Sequence, residues 1–549
     1  MVQKKWVLLE KNGKDLKNIL LANRNIKDHD SFFNPHLYKL TSANKLFPDL
    51  DIAVERIKKA IKEKELIYIY GDFDVDGITA AAILWETIDF LDGKVLPYIP
   101  HRQKEGYGIH VAALEKLAKE GAKVVISVDC GITATAEAKI AKKLGISLII
   151  TDHHMIQDGT PQPFALLHTE KLAGSGVAFM LAKALLESFS KDTDEQLYKN
   201  LELAAIGTLA DMVLLTGDNR IIAANGLARL GKSDRVGLRA LYNEAAINKK
   251  IETYEVGFII SPRLNAAGRM ENALDSLRLL LTRDKSRAAR LAAKLSQTNR
   301  ERQEATTGAL THARETVNGN GAGKIIIVHH ESYNQGVVGL VAGRLADEFY
   351  RPAIAISETR TLSKGSGRSV GVFNITEAIK AAEKYLDSAG GHPMAAGFSI
   401  QTDKIPRFKE ALYKYAEKNL TADALTPNLK IDTMLRSELI NQDTWDMIRE
   451  FEPFGIGNPE AVFQTNGLEV VGVRRLGKDG KHLRLVLKSA DNNIFNAIGF
   501  GLGERSVKDK ERIDIVYNLR ENTWQGNKKI EMRIKDFRPS ERKEATRRG

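Results

Sequence analysis

Three short apolar runs, Leu66–Tyr70, Val124–Val128 and Leu148–Thr151, alternate with stretches of helical periodicity at 51–64, 78–91, 111–120 and 134–144. This alternation constrains the fold more than any other feature of the chain. Strand–helix–strand order argues for a parallel sheet with helices on both faces, an α/β domain from about residue 51 to about residue 215. Ligands of such sheets bind at the carboxyl ends of the strands. Each of the three runs is followed at once by polar residues capable of chemistry.

The first run leads into Gly71-Asp72-Phe73-Asp74-Val75-Asp76-Gly77, where three carboxylates alternate just before a helix. On an extended backbone, alternation sets Asp72, Asp74 and Asp76 on one side, where they repel unless a cation neutralises them. Oxygen donors of this kind suit Mg2+ or Mn2+. The same spacing opens a calcium-binding EF-hand loop, but the twelfth position of such a loop needs Glu and here is Ile83. The second run ends in Asp129-Cys130-Gly131 and the third in Asp152-His153-His154. Imidazole and carboxylate together can hold a divalent ion, and an Asp can orient the neighbouring imidazole. A further acid, Asp211, lies in the otherwise apolar stretch Ala205–Met212, where burial demands a partner that a metal would supply.

Beyond this region, residues 275–317 carry few helix breakers and read as one or two long helices ending at the turn Asn318-Gly319-Asn320-Gly321. A second α/β pattern starts with Ile325–Val328 and continues to about residue 420. After Pro427 come five β-like segments, Leu468–Val473, Leu483–Leu487, Ile494–Ile498, Ile513–Leu519 and Ile530–Ile534, which suggest a small barrel. The barrel carries Arg474, Arg475, Lys478, Lys481, Arg484 and Lys488 against one acid, Asp479. Phe495, Phe500, Tyr517 and Trp524 lie nearby; each either stacks on nucleic-acid bases or, the more ordinary role, fills the barrel core. Residues 1–50 are mixed, with Phe32-Phe33-Asn34-Pro35 as a docking turn, and the end of the chain reads as a frayed basic tail.

A chain of 549 residues exceeds one ordinary core, so two to four domains are expected. The net charge of +11 favours a polyanionic partner such as nucleic acid. A single cysteine, Cys130, excludes an intramolecular disulfide framework and a Cys-rich zinc site, and fits a reducing compartment. Neither a signal peptide nor a membrane span is legible, and a soluble cytoplasmic protein is expected.

The four acidic pieces, in this order, resemble the DHH phosphoesterase superfamily: GDFDVDG (71–77) its first motif, VDCGI (128–132) its second, DHH (152–154) its third and GTLADM (207–212) its fourth. PHRQKEGYG (100–108), GSGVAF (174–179), SPRLNAAGRM (261–270), SKGSGRS (363–369), GGHPMAAG (390–397) and FEPFGIGNPE (451–460) resemble the RecJ family of single-strand exonucleases. The resemblance covers nearly the whole chain. It implies an N-terminal segment (1–50), a DHH catalytic domain (51–274), a connecting helix (275–320), a DHHA1 domain (321–425), an oligonucleotide-binding (OB) barrel (426–540) and a basic tail (541–549).

Carried over residue by residue, the resemblance makes Asp74, Asp76, Asp129, His153 and Asp211 metal ligands, with Asp72 and His154 either ligands or their supports. Other branches of the superfamily begin the first motif with His where Tyr70 stands here; Asp72 is the residue that can compensate. Two metal ions, Mn2+ or Mg2+, bridged by Asp129, would activate water for hydrolysis. Ser366, Gly367 and Arg368, read as a flexible loop, together with Arg102, Arg269 and Gly390-Gly391-His392, would grip the terminal phosphate and first nucleotide. The implied activity is digestion of single-stranded DNA from the 5′ end to mononucleotides, in DNA repair and recombination. A single-strand-binding protein and a RecQ-type helicase are the implied partners. Two other readings stand beside it: a DHH phosphodiesterase of short oligoribonucleotides or cyclic dinucleotides, and a non-catalytic binding module that has lost its ligands.

Overall fold

The computed structural model describes residues 4–10, 15–102, 104–156, 159–189, 193–371, 373–524 and 527–540. The expected basic tail at 541–549 lies outside them. The chain forms two compact units. Among the described residues, one contains 4–5, 40–213 and 222–427, the other 6–39, 214–221 and 428–540.

In the first unit a five-stranded sheet runs in the order Lys94–Tyr98, Leu66–Gly71, Ala122–Val128, Ser147–Asp152, Ala165–His168, and every pair is parallel. The three apolar runs are its central strands, buried along nearly their whole length, as a sheet covered on both faces requires. Two edge strands were not anticipated. Lys94–Tyr98 contains Pro97 and alternates exposed with buried residues, and Ala165–His168 has only four residues. Helix Val75–Phe90 follows the first strand and buries residues on every side, because helices Gly174–Glu187 and Asp194–Ala210 both pack on it.

The helix Lys285–Asn320 spans 36 residues, on the order of 54 Å at 1.5 Å per residue. Asp284 starts it, its carboxylate accepting from Arg287 N. Asn318, Gly319 and Asn320, expected as a turn, belong to its final turn instead, and the helix stops at Gly321, where φ is +79°. Beyond it a second sheet has the order Leu386–His392, Ala395–Gln401, Leu362–Arg368, Ala353–Ser357, Ile326–His330. Only its last pair is parallel. Ser366, Gly367 and Arg368, expected in a flexible loop, therefore end a strand paired on both sides. Small residues allow this: a Cβ on Gly365 would meet the Phe398 ring at 2.1 Å.

In the second unit, strands Phe463–Leu476, His482–Lys488, Ile494–Gly499, Asn527–Pro539 and Arg512–Trp524 pair in that order, and the last pairs back with the first to close a five-stranded barrel. This is the expected OB-type barrel. Phe495 and Tyr517 are buried in its core, whereas Phe500 is 53% exposed; the Trp524 side chain lies outside the described residues. Arg474 sits opposite Arg484 across one strand pair, both exposed. Leu20, Leu21 and Phe32 join the same core, with the Phe32 ring 5.6 Å from that of Phe451. The expected docking turn thus has its dock, and residues 6–39 belong to the barrel unit rather than forming a segment of their own.

Candidate metal centre

The carboxyl ends of the central strands converge on one cluster of acids and imidazoles. Asp72 follows strand Leu66–Gly71 and is buried. Asp74 caps helix Val75–Phe90, its Oδ1 accepting from Asp76 N at 3.0 Å and Gly77 N at 3.1 Å. Asp76, on the first turn, is 1% exposed and accepts from Gly174 N at 2.6 Å and Ser175 N at 3.0 Å, the first amides of helix Gly174–Glu187. Burial pushes the Asp76 carboxyl up, and His153 and the Ser175 hydrogen bonds work against that shift.

Asp129 follows the second strand with φ +60°, a conformation that costs a non-glycine side chain about 1–2 kcal/mol and here turns the carboxylate into the cluster. The third strand ends at Asp152, whose Oδ1 accepts from His153 N and His154 N and lies 2.7 Å from His154 Nδ1. Its Oδ2 accepts from Ile132 N at 2.8 Å. Asp152 therefore fixes the imidazole orientation anticipated from the triplet. His153 Nε2 lies 3.1 Å from Asp129 Oδ1, 3.6 Å from Asp211 Oδ2 and 3.9 Å from Asp76 Oδ2.

Three sets of donors each bring one atom per residue within 4.8 Å of the others: Asp72, Asp74 and Asp129; Asp76, His153 and Asp211; and Asp129, His153 and His154. All seven acidic and imidazole residues singled out from the sequence are thus brought together. Asp129 belongs to two of the sets. Its Oδ1 and the Oδ1 of Asp72 are buried without a hydrogen-bond partner. Burial, with neighbouring carboxylates adding to it, pushes the carboxyls of Asp72 and Asp129 well above their ordinary range. Buried carboxylate oxygens without donors, crowded by like charge, are what a divalent cation satisfies; the donor set fits one.

Burial, then Asp76 and Asp74, push the Asp211 carboxyl up to about 8. The sign of the pH effect follows. Below about 8 the metal-free protein holds a proton at Asp211 that a cation must displace, so affinity rises with pH through that range. Calorimetric titration with Mn2+ at pH 6 and pH 8 is expected to give tighter binding at pH 8; equal affinity would contradict the assignment.

Beside the acids lies a group of arginines. Arg102 stacks over the Phe73 ring at 5.0 Å. Arg269 is carried by helix Ser261–Met270, and Arg102 and Arg368 both bear on its charge. Arg368 donates to Ser366 Oγ and to Gly367 O, both at 2.8 Å. The structure brings Arg102, Arg269, Ser366 and Arg368 together. Gly390, Gly391 and His392 are exposed, two strands away but in register: Gly390 pairs with Gly397, which pairs with Ser366, and His392 with Ala395, which pairs with Arg368.

Sequence reasoning missed the residues that make room. A Cβ on Gly174 would stand 2.6 Å from Asp129 Oδ1, and one on Gly207 2.5 Å from Asp76 Oδ1. It also gave no role to Tyr107, whose hydroxyl is 3.0 Å from His154 Nδ1, or to Asn265, whose Oδ1 accepts from Val75 N at 3.1 Å. The only signal for them was membership of the quoted motifs.

A parallel sheet with an acid–histidine cluster at its strand ends, followed by a second α/β domain and an OB barrel, is the architecture of DHH phosphoesterases of the exonuclease type. Family models match in that order: the DHH family N-terminal domain at residues 66–208, the DHHA1 domain at 318–418 and the RecJ OB domain at 431–536. The single-stranded-DNA-specific exonuclease RecJ of Bacillus subtilis is 36% identical over 97% of this chain and 68% of its own length. That of Thermus thermophilus is 33% identical over 89% of this chain and 71% of its own. The crystal structure of Thermus thermophilus RecJ in complex with Mn2+ superposes with a TM-score of 0.83 at 29% identity, covering 98% of this chain and 80% of that one. The chain belongs to the RecJ family of single-stranded-DNA-specific exonucleases.

Proposed function

We propose that this protein hydrolyses single-stranded DNA from the 5′ end to mononucleotides with two divalent metal ions, Mn2+ or Mg2+, and serves DNA repair and recombination. The observation that carries this reading is the position of Asp129, shared by two donor sets, in a cluster whose Asp72 and Asp74 bear on Arg102 and, through Asp74, on Arg269. The residues that would hold the ions are Asp72, Asp74, Asp76, Asp129, His153 and Asp211. Bound there, the ions supply activation of the attacking water and neutralisation of charge building on the scissile phosphate. Asp152 Oδ1 holds His154 through Nδ1, and the Tyr107 hydroxyl lies 3.0 Å from the same nitrogen.

The arginines give polarity to the reaction. A terminal phosphate carries more charge than an internal diester, and guanidinium groups held by Ser366 and by burial meet it ready oriented. Gly390, Gly391 and His392 line the same rows of the sheet and would carry the first nucleotide. The domain limits proposed are 51–274, 275–320, 321–425 and 426–540, with residues 6–39 added to the last. The barrel's exposed Arg474, Arg475 and Arg484 would track the strand by charge. A cytoplasmic location, a single-strand-binding protein and a RecQ-type helicase complete the reading; no helix of the described residues is long and apolar enough to cross a membrane. The intact ligand set speaks against a non-catalytic module, and the barrel against a short-oligonucleotide phosphodiesterase.

Arg368→Ala is expected to reduce the preference for a 5′-phosphorylated end selectively. Each lost charge-assisted bond is worth roughly 1.5–3 kcal/mol, about tenfold to hundredfold. The check is kcat/KM for matched 5′-phosphate and 5′-hydroxyl strands in wild type and variant. An unchanged ratio, whatever the absolute loss, would remove Arg368 from end recognition.

A further inference from the structure

The arginine group does not end with the three residues that face the acids. Helix Lys285–Asn320 packs on one side against helix Ser261–Met270, which carries Arg269, and on the other against helix Val338–Phe349, which carries Arg344. It carries Arg302, which bears on the charge of Arg269 and on which Arg344 bears in turn. Helix Val338–Phe349 also lies over strand Leu362–Arg368: a Cβ on Gly339 would stand 2.9 Å from Arg368 Nη2, and one on Gly343 3.8 Å from Arg368 Cγ. Arg102, Arg269, Arg368, Arg302 and Arg344 thus form one connected group.

None of these five guanidinium groups forms an ion pair with a carboxylate among the described residues. Elsewhere buried guanidinium groups have acceptors: Arg235 pairs with Glu86 at 2.5 Å, and Arg220 donates to the carbonyls of Phe32, Phe451, Glu452 and Pro453. Arg302 is half-buried, and its Nε is fully enclosed without a hydrogen-bond acceptor. Burial lowers the Arg269 guanidinium to about 10, with Arg102, Arg302 and Arg368 adding to the effect. Like charges packed together without an ion-paired carboxylate call for an anion. Asp72 and Asp74 bear on Arg102 and Asp74 on Arg269, whereas the charged neighbours of Arg302 are Arg269 and Arg344. Arg302 and Arg344 are carried by the two helices that pack against the elements holding Arg269 and Arg368, and neither forms an ion pair with a carboxylate among the described residues.

A monophosphate has three terminal oxygens, which Arg102, Arg269 and Arg368 with Ser366 suffice to meet. We propose that Arg302 and Arg344 form a second anion subsite, which takes the outer phosphates of a strand bearing a 5′-triphosphate. This rests on the exonuclease reading, because that reading places the terminal phosphate among the first three arginines. The enzyme would then hold triphosphate-ended strands more tightly than monophosphate-ended ones.

The test is fluorescence anisotropy of the full chain with short 3′-labelled strands carrying a 5′-hydroxyl, 5′-monophosphate or 5′-triphosphate, in EDTA so that nothing is cut. Wild type is expected to bind the triphosphate at least about tenfold more tightly than the monophosphate, as one or two added charge-assisted bonds imply. Arg302→Gln and, on an exposed position that does not threaten folding, Arg344→Gln are expected to bring that ratio close to one. Equal affinity of wild type for the two phosphorylated strands would overturn the proposal, as would a ratio that both variants leave intact. Equal weakening of all three strands would assign the two arginines to the internal backbone and also overturn it. Failure of wild type to bind any strand would overturn the exonuclease reading and this proposal with it.

Discussion

Replacing Asp129 by alanine is expected to lower hydrolysis of single-stranded DNA by roughly a thousandfold or more, because it removes charge organisation used at the reacting phosphate rather than substrate affinity. KM should change little. Asp129 belongs to two of the three donor sets, so its loss removes a donor from both of those sets at once. The fold should survive. Asp129 Oδ1 is buried without a partner and crowded by Asp76, Asp74 and Asp72, so the metal-free protein loses a repulsion. Alanine at φ +60° gives back a small part of that relief, because it lacks the local hydrogen bonding by which Asp eases this backbone. Asp129→Asn avoids the penalty, because Asn tolerates this backbone, and should be equally inactive. Melting curves without metal are expected to show Asp129→Asn at least as stable as wild type. Near-normal turnover of either variant in saturating Mn2+ would remove Asp129 from its shared position.

Gly174→Ala is expected to be damaging to a lesser degree, although no ionisable group changes. Its new Cβ would stand 2.6 Å from Asp129 Oδ1 and 2.7 Å from Asp129 Cβ, on a backbone whose N–H also donates to Asp76 Oδ2 at 2.6 Å. Neither neighbour is the free end of a flexible chain, so both carboxylates must shift. Partners that orient metal ligands typically contribute about tenfold to hundredfold in metal affinity or activity. Calorimetric titration with Mn2+ should show a loss of that size, with the circular dichroism of the folded chain retained. Unchanged Mn2+ affinity would show that the space at Gly174 is not needed by the centre.

The parts legible in the sequence were those where one residue's neighbours along the chain are also its neighbours in space. Asp72, Asp74 and Asp76 sit on a single strand–helix junction, and Asp152, His153 and His154 on another, so spacing alone exposed them. The central strands were legible because burial on both faces makes them continuously apolar. Lys94–Tyr98 was not, because an edge strand alternates and tolerates Pro97. Ser366–Arg368 read as a loop because glycine and serine carry little β propensity; pairing on both sides overrides it. Gly174 and Gly207 act through residues 45 and 131 positions earlier, Asp129 and Asp76, at distances no local pattern encodes. The place of residues 6–39 in the barrel unit was hidden for the same reason: Phe32 meets Phe451 only in the fold.

The central claim is most directly tested by digesting one single strand labelled in separate samples at its 5′ or 3′ end, in Mn2+ and in EDTA. In Mn2+ the 5′ label is expected to leave as a mononucleotide from the earliest times, while the 3′ label stays on a ladder of shortening strands; in EDTA neither label should be released. Early release of the 3′ label, internal fragments, or digestion undiminished by EDTA would contradict a metal-dependent exonuclease acting from the 5′ end.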